Sequence, residues 1–345
     1  MTSELTLADL GWTNFYMSQC DLDEIETLTP ARISGVQRAS VTGLTVDGAF
    51  DLTLDPGTST GELAVGDWVL ADLDRHRVIR LLDRSSTLQR GKEHLTGDRQ
   101  LIAANLDTLF ITTSCNADFN PARLERYLAL ANDADITPVI ILTKADMAED
   151  PDSYTDRARA LGRGLEVVTL NAKSPDTADK LSLWSGKGQT VALAGSSGVG
   201  KTTIANALTG GDAATQGIRE DDARGRHTTT DRSLHRIPGG GWLIDTPGMR
   251  GLGVADVAAG IEATFSEITD LIGQCKFRDC QHDSEPGCAV QAAISAGDID
   301  PERLTRYKKL KREDQYATET IAQARDRYRK LGKMYRSATQ KKKNR

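Results

Sequence analysis

The nine residues Gly195-Ser196-Ser197-Gly198-Val199-Gly200-Lys201-Thr202-Thr203 satisfy the pattern G-x-x-x-x-G-K-[ST] in full. They follow an apolar stretch, TVALAG, and open a helix-forming one, TTIANALTG, which is where a phosphate cradle has to sit. Glycines let backbone N–H groups close around phosphate oxygens, and the helix N-terminus adds the positive end of its dipole. Lys201 then reaches the β- and γ-phosphates, and Thr202 offers a hydroxyl to Mg²⁺. Asp245-Thr246-Pro247-Gly248 ends a second apolar stretch, GGWLID, after the cradle. An Asp there organises Mg²⁺ through water, and Gly248 can meet the γ-phosphate. Alone, such a tetrapeptide is an ordinary turn.

A base reader precedes the cradle. Thr143-Lys144-Ala145-Asp146 closes the apolar run IILTKAD, and Asn171-Ala172-Lys173 follows LEVVTL. A carboxylate at a strand end accepts from both N1–H and the exocyclic amine of guanine, a donor pair that adenine lacks. The Lys144 stem packs over the base, and the Ala172 amide points at O6. The chain order is guanine reader, guanine loop, phosphate cradle, switch, DTPG, which is a cyclic shift of the usual order. Such a shift keeps every strand-end loop on one edge of the sheet, and compact domains tolerate it because their termini lie close together. It also runs DTPG straight into the C-terminal part of the chain, so a γ-phosphate-sensitive switch pulls on that part directly.

Of five cysteines, three cluster with a histidine as Cys275-x₄-Cys280-x-His282-x₅-Cys288, while Cys20 and Cys115 stand apart. Three thiolates and an imidazole suit a closed, tetrahedral structural zinc site and leave no open position for catalysis. Free buried cysteines or a disulfide are the alternatives, and a reducing compartment disfavours the second.

Three zones position these groups. From about 31 to 90, short apolar stretches alternate with Gly and Asp breaks, predicting an all-β unit. Its size suits an OB-fold, and an SH3-like barrel fits nearly as well. From about 100 to 253, the strands DTLFITTS, TPVIILTK, LEVVTLNA, QTVALAGSS and GGWLIDTPG alternate with helices such as NPARLERYLALANDAD. That alternation predicts an α/β fold, a mostly parallel sheet covered on both faces. From 254 onward, helices surround the Cys/His cluster, with one or two long basic helices over 302–337. The boundaries expected are 1–95, 96–253 and 254–345.

The chain has 345 residues, 39% hydrophobic and 27% charged, enough for several globular units. No apolar run nears the roughly 20 residues of a membrane span, and MTSELTLADLGW has no signal-peptide pattern. A cytoplasmic protein without membrane contact, acting as a monomer, is expected. The net charge of −6 conceals an asymmetry: residues 306–345 carry fifteen Lys/Arg against four Asp/Glu. A basic tail on an acidic body suits a polyanionic partner.

In sum of its motifs the chain resembles the circularly permuted, ribosome small-subunit-dependent GTPases of the YjeQ/RsgA type. The resemblance spans roughly residues 30 to 310. It rests on VGDWV at 65–69, QLIAANLDTLFI at 100–111, DFNPARLERYL, LTKAD, GSSGVGKTT, GRHTTT at 225–230, DTPG and the cysteine cluster. It implies a GTPase that binds GTP and GDP with Mg²⁺, docks on the small ribosomal subunit and assists its late maturation, with subunit-stimulated hydrolysis. It implies an OB-like barrel, a zinc domain and a basic tail that hold rRNA and ribosomal protein. Two departures stand out. Thr143 replaces the usual Asn, which is expected to weaken the tie between guanine loop and cradle, and NAK replaces SAK. Met249 occupies the position where many GTPases place a water-orienting Gln. Within GRHTTT, one of Thr228, Thr229 or Thr230 meets Mg²⁺ and γ-phosphate; the resemblance favours Thr229, and His227 as the group that positions water. Two other readings fit the motifs: an RNA-binding module with guanine nucleotide as structural ligand, and a P-loop ATPase or kinase in which TKAD is accidental.

Overall fold

The structure is a computed structural model, and it describes residues 5–55, 57, 59–90, 100–211, 232–245 and 254–318. Two short helices, α1 (Asn14–Met17) and α2 (Leu22–Thr27), precede five strands: β1 (Thr29–Val36), β2 (Val41–Thr45), β3 (Gly48–Leu52), β4 (Trp68–Asp72) and β5 (Arg77–Leu81). They run β5-β4-β1-β2-β3, all antiparallel. The ring closes where Thr53 pairs with Arg77, through Thr53 N–H to the His76 carbonyl and Val78 N–H to the Thr53 carbonyl, each 2.9 Å. Alternate side chains from all five strands, among them Ile33, Val41, Leu52, Val69 and Val78, fill its interior. An all-β unit of short strands therefore stands where the alternation predicts one.

A hairpin, β6 (Thr87–Arg90) with β7 (Gln100–Ala104), leads into the α/β unit. There follow β8 (Thr108–Ser114), α3 (Pro121–Asp133), β9 (Thr137–Thr143), α4 (Pro151–Arg159), β10 (Glu166–Thr169), α5 (Thr177–Leu181), β11 (Thr190–Gly195), α6 (Lys201–Thr209), β12 (Ser233–Arg236) and β13 (Trp242–Asp245). The order across the sheet is β10-β9-β8-β11-β13-β12, parallel except for β12. Every residue of β8 is buried, as a central strand covered on both faces requires. α3 begins as its sequence dictates: the Asn120 side chain accepts from Arg123 N–H at 3.1 Å and Pro121 takes the first helical position.

Two features were not foreseen. β12 pairs with barrel strand β1 at Gly35 and Ser233, so barrel and nucleotide sheet form one continuous sheet. Arg32 of β1 is wholly buried at that seam; it donates to the Leu10 carbonyl (2.7 Å) and the Thr190 hydroxyl (2.6 Å). Burial lowers its pKa to about 10, so it stays charged at neutral pH. Leu10 and Tyr16 meanwhile pack with Trp68 and Trp242, which places the N-terminal segment in the core of the seam.

The C-terminal part comprises α7 (Ala258–Thr264), α8 (Ser266–Ile272), α9 (Ala289–Ala296) and α10 (Pro301–Thr318). α10 is the start of the basic helix expected over 302–337; residues 319–345 lie outside the described ones. α7 crosses α3 so closely that a Cβ on Gly260 would stand 1.9 Å from the Ala129 carbonyl oxygen. Buried Arg303 of α10 donates to Glu125 of α3 (2.7 Å), Glu267 (2.6 Å) and the carbonyls of Leu161 and Thr264, and its guanidinium lies over Phe265. The Arg306 Nε–H is shared between both carboxylate oxygens of Glu125. No helix among the described residues is long and apolar enough to cross a membrane.

Candidate nucleotide site and metal centre

The phosphate loop joins β11 to α6 and depends on glycine at three positive-φ positions: Gly195 (+137°), Gly198 (+75°) and Gly200 (+101°). Gly195 also has no room for a side chain, since a Cβ would come within 2.1 Å of the Thr112 carbonyl oxygen. Gly200 is the N-cap of α6 and carries no capping side chain, so the amides of the first turn face the loop. The Lys201 ammonium folds over the same loop and donates to the carbonyls of Gly195 (2.9 Å) and Ser196. Thr202 is exposed at the start of α6, and Thr203 is partly so.

The two guanine motifs reach this loop. A Cβ on Gly200 would lie 3.6 Å from Thr143 Cγ2 and 3.7 Å from Ala172 Cβ, so the three loops meet at one point although they are widely spaced in sequence. Parallel strands β9, β8 and β11 bring their C-terminal ends to one edge, where ligands bind in open α/β sheets. Lys144 adopts a left-handed conformation (φ +57°), which turns the chain so that Asp146 stands exposed in the helical turn 145–147. The Asn171 side chain accepts from Lys173 N–H at 3.0 Å, and the Asn171 carbonyl accepts from the Thr177 hydroxyl at 3.1 Å. These bonds shape the loop carrying Ala172.

Thr143 is fully buried, and its hydroxyl donates to the Val199 carbonyl in the phosphate loop at 2.6 Å. The Thr113 carbonyl lies 3.1 Å from the same oxygen, but one hydroxyl proton serves one acceptor well, and the shorter contact wins. The tie that Asn was expected to supply is thus carried by the threonine. Asp245 stands at the C-terminal end of β13, beside β11. His227, Thr228, Thr229, Thr230, Gly248 and Met249 lie outside the described residues.

The sequence reading missed one residue of this site. Tyr127 of α3, almost wholly buried, hydrogen-bonds through its hydroxyl to the Gly195 backbone, and burial raises its pKa. α3 therefore touches the phosphate loop through Tyr127 and α10 through Glu125. Glu125 was legible as an anomaly, an acid on the apolar side of an amphipathic helix.

In the connection from α8 to α9, the ligand atoms of Cys275, Cys280, His282 and Cys288 all lie within 4.8 Å of one another. Nδ1 of His282 is 3.4 Å from Cys288 Sγ and 3.6 Å from Cys275 Sγ, and the two sulfurs are 3.9 Å apart. Zinc bonds of about 2.3 Å to sulfur and about 2.0 Å to nitrogen put tetrahedral ligands roughly 3.5–3.8 Å apart, so the set fits that ion. Burial pushes the Cys280 thiol up to about 11, with its neighbouring thiols adding to the shift. A metal ion held there would take the three cysteines as thiolates. The scaffold is well fixed: Cys288 caps α9 by accepting from Gln291 N–H, and the His282 carbonyl accepts from Gln291 Nε2 (2.7 Å) and Lys308 Nζ (3.1 Å). Glu285 accepts from the amides of Gln281, Asp283 and Ser284, which hold its carboxyl down at about 2.

A family model described as RsgA GTPase matches residues 81–255. The chain is 57% identical over 320 residues to the small ribosomal subunit biogenesis GTPase RsgA of Mesorhizobium japonicum, covering 92% of each chain. It is 46% identical to a protein of Vibrio vulnificus with the same name, numbered 2, covering 96% of this chain and 94% of that one. Among solved structures, YjeQ from Thermotoga maritima aligns with a TM-score of 0.62 at 23% identity, over 82% of this chain and 97% of that one. YloQ, titled a circularly permuted GTPase, aligns with a TM-score of 0.58 at 22% identity, over 85% and 97%. At these identities the structures speak for the fold.

Proposed function

Because the chain belongs to the RsgA GTPase family and is a GTP hydrolase, we propose that it binds the small ribosomal subunit, assists its late maturation and hydrolyses GTP faster when bound there. The observation that carries the nucleotide part is the meeting of Thr143, Ala172 and Gly200 at one sheet edge. The partner is drawn from the names its relatives bear.

In this reading Asp146 accepts from guanine N1–H and the exocyclic amine, Lys144 covers the base, and Ala172 N–H donates to O6. Asn171 and Lys173 shape that loop. The amides from Gly195 to Thr203 and the Lys201 ammonium hold the phosphates; Lys201 leaves its carbonyl partners to do so. Mg²⁺, held by Thr202 and Thr229 with Asp245 through water, would neutralise phosphate charge. Gly248 meets the γ-phosphate, and His227 orients the attacking water in place of the absent Gln. The Cys275, Cys280, His282 and Cys288 set holds one structural zinc ion. The monomer acts through three units, 1–95 with an OB-like barrel, 96–253 with the permuted nucleotide site, and 254–345 with the zinc domain and basic tail. The barrel, zinc domain and tail hold rRNA and ribosomal protein. Their phosphate contacts give binding a steep salt dependence.

Sedimentation of the protein with purified small subunits tests the partner. Co-sedimentation is expected with a non-hydrolysable GTP analogue and its loss with GDP. Equal recovery in both states, or none in either, would overturn the proposal.

A further inference from the structure

Between the first two thiols of the metal centre, the chain displays Lys276-Phe277-Arg278 with all three side chains exposed. Phe277 is 42% exposed, which is unusual in a chain of six phenylalanines whose others, apart from Phe15, are half-buried or buried. A single exposed aromatic is ordinary in itself. Its setting is not.

The loop is pinned at each end. Lys276 N–H donates to the Gly287 carbonyl at 3.0 Å, and Cys280 N–H closes a turn onto the Phe277 carbonyl at 3.3 Å. Cys275 and Cys280 then anchor both flanks to the metal set. An apolar ring held out on so short and braced a loop has little conformational freedom left to lose on contact. Its flanks are cationic: the Lys276 ammonium lies 5.5 Å from the ring centroid, with Arg278 on the other side in sequence. Of the nearby carboxylates, Glu285 is taken by three backbone amides and Asp283 by Lys308 at 2.6 Å, while Asp279, exposed beside Arg278, sets one negative charge against the two cations of the loop. Lys308, held on Asp283 and the His282 carbonyl, ties α10 to the same cluster.

We propose that Phe277 is a base-stacking platform, on which an unpaired RNA base lies while Lys276 and Arg278 meet the flanking phosphates. A π-face accepts any base, and cations beside it answer the backbone charge, which is the chemistry of single-stranded nucleic-acid binding. The inference deepens the proposed function, resting on its reading of the partner as RNA-bearing, and it names the contact made by the metal knuckle.

Full-length F277A, F277Y and F277W proteins test it, with metal content and subunit-free GTP turnover as controls that should match wild type. F277A is expected to bind small subunits roughly 5- to 150-fold more weakly, whereas F277Y and F277W retain binding. The indole emission of F277W is expected to be quenched by a short single-stranded uridine-rich RNA and to recover in high salt. F277A binding as well as wild type would overturn the platform while leaving the proposed function standing. Weaker subunit binding by F277A without any quenching by RNA would also overturn it, because the ring would then meet protein. If wild type ignores subunits altogether the proposed function fails, and the RNA quenching of F277W still decides the platform.

Discussion

Thr143→Val removes one proton donor and almost nothing else. The side chain is wholly buried, its shape is kept, and the lost bond is the 2.6 Å contact to the Val199 carbonyl. Val199 is itself 1% exposed, so water does not readily replace the hydroxyl. A buried acceptor left unpaired costs about 1–3 kcal/mol. That cost falls on the phosphate loop, because Val199 lies between Gly198 and Gly200, whose positive φ values define its closed form. GDP affinity should therefore fall roughly 5- to 150-fold, with a smaller loss in global stability. Titration with a fluorescent GDP analogue measures the first and urea unfolding the second. Thr143→Asn, whose amide can also donate, should keep most of the affinity. If T143V binds GDP as wild type does, the hydroxyl is not the tie between the guanine loop and the phosphate loop, and the account of this departure is wrong.

Other expectations concern the remaining parts. Asp146→Asn should weaken GDP binding by roughly 10- to 150-fold, the worth of a charge-assisted hydrogen bond, while leaving weak ADP binding unchanged in a parallel titration. Reduced protein should contain one zinc per chain by elemental analysis, and Cys288→Ser or strong chelation should unfold the C-terminal helices, seen as lost helical circular dichroism. Arg303→Met should destabilise the chain by about 3 kcal/mol, since it takes away one of the two guanidinium groups that serve buried Glu125 and the cation paired with half-buried Glu267; urea unfolding reads this directly.

The nucleotide strands were legible because each is an apolar run ending in a loop of defined chemistry. β8, β9, β11 and β13 fall within one or two residues of their expected places, as does α3 with its Asn120 cap and Pro121 start. The cysteine cluster was equally plain, since its four ligands lie close together in sequence. What escaped was non-local. Nothing in SLHR marks β12 as the strand that joins the barrel to the sheet, because one paired residue, Gly35 with Ser233, makes the junction. Arg32 reads as an ordinary charge in a β pattern until Leu10 and Thr190 arrive from distant parts of the chain. Thr143 was legible as a departure, yet its compensation depends on a 2.6 Å contact that only the folded loops create.

The proposed function stands or falls with GTP turnover that answers to the small ribosomal subunit. The most direct measurement is phosphate release from GTP at saturating nucleotide, with and without purified small subunits. Slow turnover alone is expected, with a marked rise on adding subunits that is lost when Lys201 is replaced by Ala. Turnover that stays the same with and without subunits would contradict it.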